Sequence, residues 1–263
     1  MKMTLLSGVA LFMASTVAVA QQQFSTPEQA TDALTQAISE QNEGAMGNLL
    51  GENWRNVLPP EGVDPEAVAR FLRDWKVKHT TIVSGDTAHL IVGENAWQLP
   101  IPVVKTSNGW QFDIQQAADE ILTREIGRNE LAAIEELHAY VDAQQSYFAL
   151  NQTYAAKIVS SKGKKDGLYW PVLPGEAPSP LGPTFSPAEP GAGYHGYRFK
   201  ILPDKQGFAM VAWPVSYGQT GVMSFVVNQS DRVYETNLGS DTALKVQALT
   251  AFSPDSAWLP VAP

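Results

Sequence analysis

The 263-residue chain contains no cysteine. That absence excludes disulfide staples, thiolate chemistry, Cys-based metal sites and a lipid-modified N-terminal cysteine. Basic charge is also scarce: 18 Lys and Arg stand against 27 Asp and Glu, a formal net charge of −9. Nucleic acid and anionic lipid both need positive surface, so neither fits as a partner. Lys157, Lys162, Lys164 and Lys165 are a local exception and read as the solvated face of a loop. The four histidines, His79, His89, His138 and His195, are dispersed and form no H-E-x-x-H pattern, so no metal site is expected. No G-x-S-x-G elbow is present, and Gly163-Lys164-Lys165-Asp166-Gly167 has neither the spacing nor the hydroxyl of a phosphate loop. No cofactor is implied.

Past residue 20 no apolar run approaches the roughly 20 residues that span a bilayer. Residues 1–20 instead have the form of an export signal. Lys2 supplies the positive start, residues 5–17 an apolar run, and Ala18-Val19-Ala20 a small-x-small cleavage pattern. The expected mature chain starts at Gln21 and lies in the periplasm or outside the cell. Losing Lys2 takes the net charge from −9 to about −10.

The next hundred residues read as α+β. Thr26 before Pro27 and Asp64 before Pro65 are helix starts, because a side-chain oxygen caps free N–H groups and proline tolerates the first turn. Ala30, Ala33, Leu34, Ala37 and Ile38 share one helical face, and Met46, Leu49 and Leu50 mark a short second helix. Val68, Phe71, Leu72 and Trp75 form a third stripe, read as core. Strands are expected at 80–83, 88–92, 97–105 and 110–114, with Asn108-Gly109 as the hairpin turn. Pro100 and Pro102 lack donors, so the third strand should lie at an edge or carry a bulge. Helices before a curved antiparallel sheet are reminiscent of cystatin-like and nuclear-transport-factor-2-like folds.

A long helix is expected over 117–150, with Ile134, Leu137, Val141 and Phe148 near one stripe and Leu131 and Gln145 flanking it. Gly127 weakens it and places a boundary in 124–128. Arg128, Asn129 and Glu130 read as an interdomain pin. The expected division is a signal at 1–20, an N-terminal domain at 21–123 and a C-terminal domain at 124–263. From 163 to 196, 14 of 34 residues are glycine or proline, seven of them proline, which rules out a regular helix or central strand. Leu168, Tyr169, Trp170, Leu181 and Phe185 make the segment too apolar for a linker, so it should pack as an ordered loop. Beyond it, Tyr197, Phe199 and Ile201 alternate with Arg198 and Lys200 as a half-exposed strand. The continuously apolar 208–213 and 222–227 read as strands covered on both faces. A turn at 228–231 leads to 233–236, and Ser240-Asp241 caps a last helix carrying Leu244, Ala248 and Leu249.

The blocks TREIGRNELAAI (123–134), YVDAQQSYF (140–148), KDGLYWPV (165–172), SPLGP (179–183) and YHGYRFKIL (194–202) closely resemble the bacterial domain-of-unknown-function 2950 family of exported proteins. PIPVVKTSNGWQFD upstream and FAMVAWPVSYGQTGVMSFVVNQ and VYETNLG downstream fit the same pattern. The resemblance covers nearly the whole mature chain and implies no activity or catalytic residues to transfer. The order of helix, loop and meander is also similar to type IV pilin and pseudopilin globular domains. A prepilin cleavage site and assembly helix are lacking.

The candidate ligand-binding residues are aromatic: Tyr169, Trp170, Tyr194, His195 and Tyr197 around the loop, followed by Trp213 and Tyr217. Such rings stack on glycans or grip peptides, or else staple the loop to the sheet. Asp119/Glu120 and Glu135/Glu136 read as solvated helix faces, since adjacent helical residues diverge. His138 is expected to pair with Glu135 or Glu136. No catalytic set is legible. The expected function is a non-enzymatic exported protein that binds an envelope protein or glycan. The alternatives are an envelope glycan or peptidoglycan hydrolase and an accessory of a pilus or secretion system.

Overall fold

The computed structural model describes residues 21–57, 63–183, 193–204, 207–252 and 257–261. The expected export signal at 1–20 and Phe185 lie outside the described residues. The chain is α+β and divides into two compact units between Ile121 and Leu122.

In the first unit, helix α1 (Pro27–Ser39) starts where the Thr26 hydroxyl accepts the Gln29 N–H. Helix α2 (Glu43–Leu50) is capped in the same way by Asn42, and α3 (Pro65–Val77) by Asp64. Each cap satisfies an N–H that has no partner inside the helix. The stripe of α1 enters the core as expected, with Ala30, Leu34 and Ala37 buried. That of α3 does not. Val68, Phe71, Leu72 and Trp75 stay half-buried, and only Phe71 and Trp75 reach the core cluster, so this helix lies at its rim.

Strands β1 (His79–Ser84), β2 (Thr87–Val92), β3 (Trp97–Gln98), β4 (Val103–Thr106) and β5 (Gly109–Phe112) form an antiparallel sheet. Its order is β1-β2-β4-β5, with β3 also on β2. Pro100 and Pro102 split the expected 97–105 strand in two. Both pieces pair with β2, Gln98 opposite Ile91 and Val103 opposite Ala88, and the extra residues between them make a bulge in which the Leu99 N–H still donates to the Leu90 carbonyl. The hairpin loop is Ser107-Asn108, one residue earlier than expected, with Thr106 opposite Gly109. Gly109 (φ 136°) serves another need: a Cβ there would lie 2.5 Å from the Phe24 carbonyl oxygen, which bridges to Trp110. Along β2 the burial alternates, Ala88, Leu90 and Val92 inside and Thr87, His89 and Ile91 half-exposed outside.

Helix α4 (Ile114–Asn151) runs through Gly127 without a break. Within the second unit its buried residues include Ala133, Leu137, Tyr140, Val141, Ala143, Gln144 and Tyr147. The seam keeps the expected Leu137 and Val141 but takes in Tyr140, Gln144 and Tyr147, leaving Phe148 and Leu131 37% and 64% exposed. Polar residues are buried on it because each finds a partner. Gln144 donates to the Tyr140 hydroxyl (2.9 Å) and the Ala155 carbonyl (2.8 Å), and accepts from the Ala155 N–H (2.9 Å). Burial pushes the Tyr140 phenol above the ordinary tyrosine range.

Strands β6 (Tyr197–Asp204), β7 (Gly207–Pro214), β8 (Ser224–Asn228), β9 (Val233–Thr236) and β10 (Leu259–Pro260) form an antiparallel meander ordered β10-β9-β8-β7-β6. One face carries Phe208, Met210, Ala212, Phe225 and Val227 against Leu137, Tyr140 and Leu168. The other carries Ala209, Val211, Trp213 and Val226 against helix α5 (Thr242–Ala248) and Phe252. The continuously apolar runs are thus covered on both sides, as expected. Three local expectations change. The Lys200 ammonium is turned inward and donates to the carbonyls of Val246, Gln247 and Leu249, closing the C-terminal end of α5. On α5 it is Val246 that is buried, while Leu244 is 68% exposed. Strand β10, unforeseen, adds the outer edge beside β9.

Candidate functional site

The five aromatic candidates do not form one surface. Tyr197 is fully buried, and its hydroxyl donates to the Met223 carbonyl at 2.8 Å. Burial, with the Glu130 carboxylate beside it, raises this phenol well above the ordinary range. Trp170 is buried in the same core, and Tyr169 packs half-buried against it. The Tyr169 N–H donates to the Ile158 carbonyl, and its own carbonyl accepts from the Ser160 N–H, both at 2.8 Å. These rings fasten residues 163–183 to the helix and sheet, as the ordered-loop reading expects. Leu168 and Leu181 add buried anchors, joined by a 3.0 Å backbone bond.

Tyr194 and His195 are placed differently. Tyr194 and Tyr197 exchange both backbone hydrogen bonds, at 2.7 and 2.9 Å, across the two-residue loop His195-Gly196. His195 (φ 48°) and Gly196 (φ 71°) both take left-handed conformations, the backbone of a type I′ hairpin turn. The His195 ring is exposed and lies 4.1 Å from the Tyr194 ring, centroid to centroid.

A second turn lies directly against the first. The Val215 N–H donates to the Gly196 carbonyl at 2.8 Å, and a Cβ on Gly196 would come within 2.8 Å of the Thr220 side chain. Residues 216–220 fold on themselves through the Gln219 and Thr220 N–H groups, both bonded to the Ser216 carbonyl. Tyr217 stands 37% exposed and donates to Asn237 at 3.2 Å. Helix α4 braces this loop: Asn129 donates to the Thr220 carbonyl at 3.0 Å. One Glu130 oxygen accepts the N–H groups of Val222 and Met223, each at 2.9 Å. Asn129 and Glu130 therefore hold a loop of their own unit. A Cβ on Gly221 would overlap the Tyr197 hydroxyl, so the loop seats directly on that buried ring.

Glu136 is half-buried rather than solvated, unlike its exposed neighbour Glu135. Burial raises its carboxyl above the ordinary range, the nearby charge of His195 opposes that, and Glu135 adds to it. His138 pairs with Asp231 at 2.6 Å, 93 positions away, instead of with a helical neighbour. Three blocks far apart in sequence, 129–130, 194–197 and 216–223, thus meet in one braced pair of turns.

The basic loop is a separate clip. Asp166 accepts the Ser161 N–H (2.7 Å), the Ser161 hydroxyl (3.0 Å) and the Lys157 ammonium (2.8 Å). The Lys157 bond first, then Ser161, holds its carboxyl far below the usual carboxylate range. Lys165 lies 5.4 Å from the centre of the Trp170 ring and 3.8 Å from Glu176.

The model of the family described as Protein of unknown function (DUF2950) matches residues 21–207 and 204–261. The chain belongs to this family. No curated protein and no solved structure matches it. In this DUF2950 chain no helix among the described residues is long and apolar enough to cross a membrane. Nor do the described residues gather three or more His, Asp or Glu side chains in a position to hold a metal ion.

The first unit of this DUF2950 protein has one feature that sequence spacing did not reveal, a cleft of about 310 Å³. Glu28, Thr31, Asp32, His79, Thr80 and Thr81 line it. Glu28 and Asp32 are four apart on α1 and so share a face. His79 stacks on Trp75, ring centroids 3.8 Å apart, and its Nδ1 lies 2.8 Å from the Trp75 carbonyl. A carbonyl only accepts, so Nδ1 carries the proton and Nε2 is the free acceptor of the neutral ring.

Proposed function

We propose that this chain is an exported, non-enzymatic binding protein of the bacterial envelope, and that the paired turns at His195 and Tyr217 are its contact surface. The form of residues 1–20 and the net negative charge support export and a partner that is neither nucleic acid nor anionic lipid. One observation carries the surface. His195 is held exposed at φ 48°, a conformation costing a non-glycine residue roughly 1–2 kcal/mol, on a scaffold braced from α4 and β7. A turn whose backbone is fixed in place loses little entropy on binding, which favours recognition by the side chains it displays. The partner class is an envelope protein or glycan.

The test is retention of purified protein on isolated cell-wall sacculi and on immobilised envelope-protein fractions. Wild type should bind one of them, and His195→Ala combined with Tyr217→Ala should lower retention tenfold or more without moving the melting temperature. Equal retention by the variant counts against the surface. The alternative is hydrolysis of an envelope glycan, for which the cleft lined by Glu28, Asp32 and His79 is the candidate site, although both acids stand on one face of α1 and not on opposite walls. Turnover of purified peptidoglycan that Glu28→Gln or Asp32→Asn abolishes would replace the binding proposal.

A further inference from the structure

Outer strands carry unpaired backbone groups and are normally guarded by proline, lysine, a bulge, shortness or a covering segment. Three outer strands of the two sheets follow that rule. Phe24 exchanges both backbone hydrogen bonds with Trp110 on β5, at 2.8 Å each, β10 has two residues of which one is Pro260, and β6 carries Pro203. Strand β1 does not. His79–Ser84 (HTTIVS) has no such guard, nothing among the described residues pairs with its far side, and every residue but Thr81 is exposed. The Gly93 N–H donates to the Lys78 carbonyl at 2.8 Å, which fixes the direction of the backbone groups. Alternation then turns Thr80, Ile82 and Ser84 towards β2, and His79, Thr81 and Val83 outward. The side chains of these last three share the inner face of the sheet with Val92, Leu90 and Ala88, which they oppose.

Helix α1 lies over that face, with the Thr31 and Thr81 hydroxyls 3.2 Å apart. The cleft of about 310 Å³ opens beside this contact, between Glu28, Thr31 and Asp32 of α1 and His79, Thr80 and Thr81 of β1. Glu28 and Asp32 are exposed, and neither has an ion-pair partner among the described residues. The free Nε2 of His79 adds a third acceptor. Lys78 shares the parity of Thr80 and Ile82, so it falls on the opposite face and does not neutralise the cleft. An unpaired strand beside a wall of acceptors complements an extended chain that brings its own N–H and C=O groups and one positive side chain.

We propose that β1 takes an extended segment of another protein as an added antiparallel strand, with an arginine or lysine of that segment seated in the cleft. The partner residue opposite Thr81 exchanges both backbone hydrogen bonds with it. Directly opposed residues share a face, so the side chain of that residue enters the cleft. There its N–H groups meet Glu28, Asp32 and His79 Nε2 as charge-assisted hydrogen bonds. The residues on either side of it point the other way, beside Ile82, which is 55% exposed and suits an apolar neighbour. A six-residue edge covers less than the roughly 1,200–2,000 Å² of a standard stable interface, so the complex is weak and reversible. This site belongs to the first unit and does not depend on the paired turns of the second.

The probe is a fluorescent nine-residue peptide of alternating threonine and valine, with arginine in place of the central threonine, titrated with the full chain by fluorescence anisotropy. Saturable binding is expected. The same peptide with glutamate at its centre should bind about tenfold more weakly or worse, because like charges then meet. On a Glu28→Gln/Asp32→Asn protein that preference should shrink to about threefold or less, since exposed ion pairs supply it. Val83→Pro removes an N–H that faces away from β2, so the melting temperature should hold while binding is lost. No saturable binding by wild type, equal affinity for the two peptides, or full binding by a folded Val83→Pro protein would each overturn the proposal. Self-association of the wild-type chain that Val83→Pro abolishes, with no peptide bound, would assign the edge to a second copy and overturn it equally.

Discussion

Replacing Gly127 by alanine should stabilise the protein. Gly127 lies in the interior of a 38-residue helix, its φ is not in the left-handed region, and a Cβ built on it meets nothing within 4 Å. Steric cost is therefore absent, and the difference is the backbone freedom that glycine keeps in the unfolded chain and alanine does not. Host–guest measurements put it at about 0.8–1.0 kcal/mol in a helix interior. For a unit of this size that corresponds to a rise of about 2–4 °C in melting temperature. Far-ultraviolet circular dichroism during heating, with a matched denaturant titration, would measure it. An unchanged or lowered melting temperature would mean that the helix does not pass through residue 127. Gly127→Pro supplies the opposite sign: a lost donor and a ring clash should cost about 3 kcal/mol.

Gly221→Ala should destabilise by about 1–3 kcal/mol, because the added methyl overlaps the buried Tyr197 ring, and a shift in urea midpoint would show it. Gln144→Ala should cost about 2–4 kcal/mol, since the N–H and carbonyl of Ala155 lose their buried partner; chemical denaturation tests this. Asp166 has a folded-state pKa depressed by Lys157 and Ser161, so its contribution is present above the ordinary aspartate range and lost as pH falls through that range and below it. Asp166→Asn should therefore be less stable than wild type near neutral pH and converge with it in acid, as urea midpoints at the two conditions would report.

Much of the architecture could be read from local pattern because its determinants are local. Thr26-Pro27 and Asp64-Pro65 start helices through groups within three residues, and the apolar runs of β7 and β8 announce burial on both faces. The misplaced features depend on partners that spacing cannot reveal. Tyr140, Gln144 and Tyr147 look unlike core residues until Ala155 and the Lys165 carbonyl supply their hydrogen bonds. His138 looks paired along its helix until the turn at Asp231 approaches it, and Lys200 looks solvated until the end of α5 closes over it. At the candidate site, composition singled out these rings but could not divide them: Trp170 and Tyr197 are anchors, Tyr194 and His195 belong to a turn. A local signal existed, for His195-Gly196 between two tyrosines has the X-Gly form of a two-residue hairpin loop. The second turn, with Tyr217, is tied to the first by contacts with Gly196, Tyr197, Asn129 and Glu130, which no local pattern encodes.

The central claim is that His195 and Tyr217 are displayed for recognition while Trp170 and Tyr197 hold the scaffold. Its most direct test measures, on the same preparations, retention on envelope fractions and melting temperature for His195→Ala/Tyr217→Ala and for Trp170→Ala. The first variant should lose binding tenfold or more at an unchanged melting temperature, and the second should melt several degrees lower. A His195→Ala/Tyr217→Ala protein that melts and binds like wild type would contradict the claim.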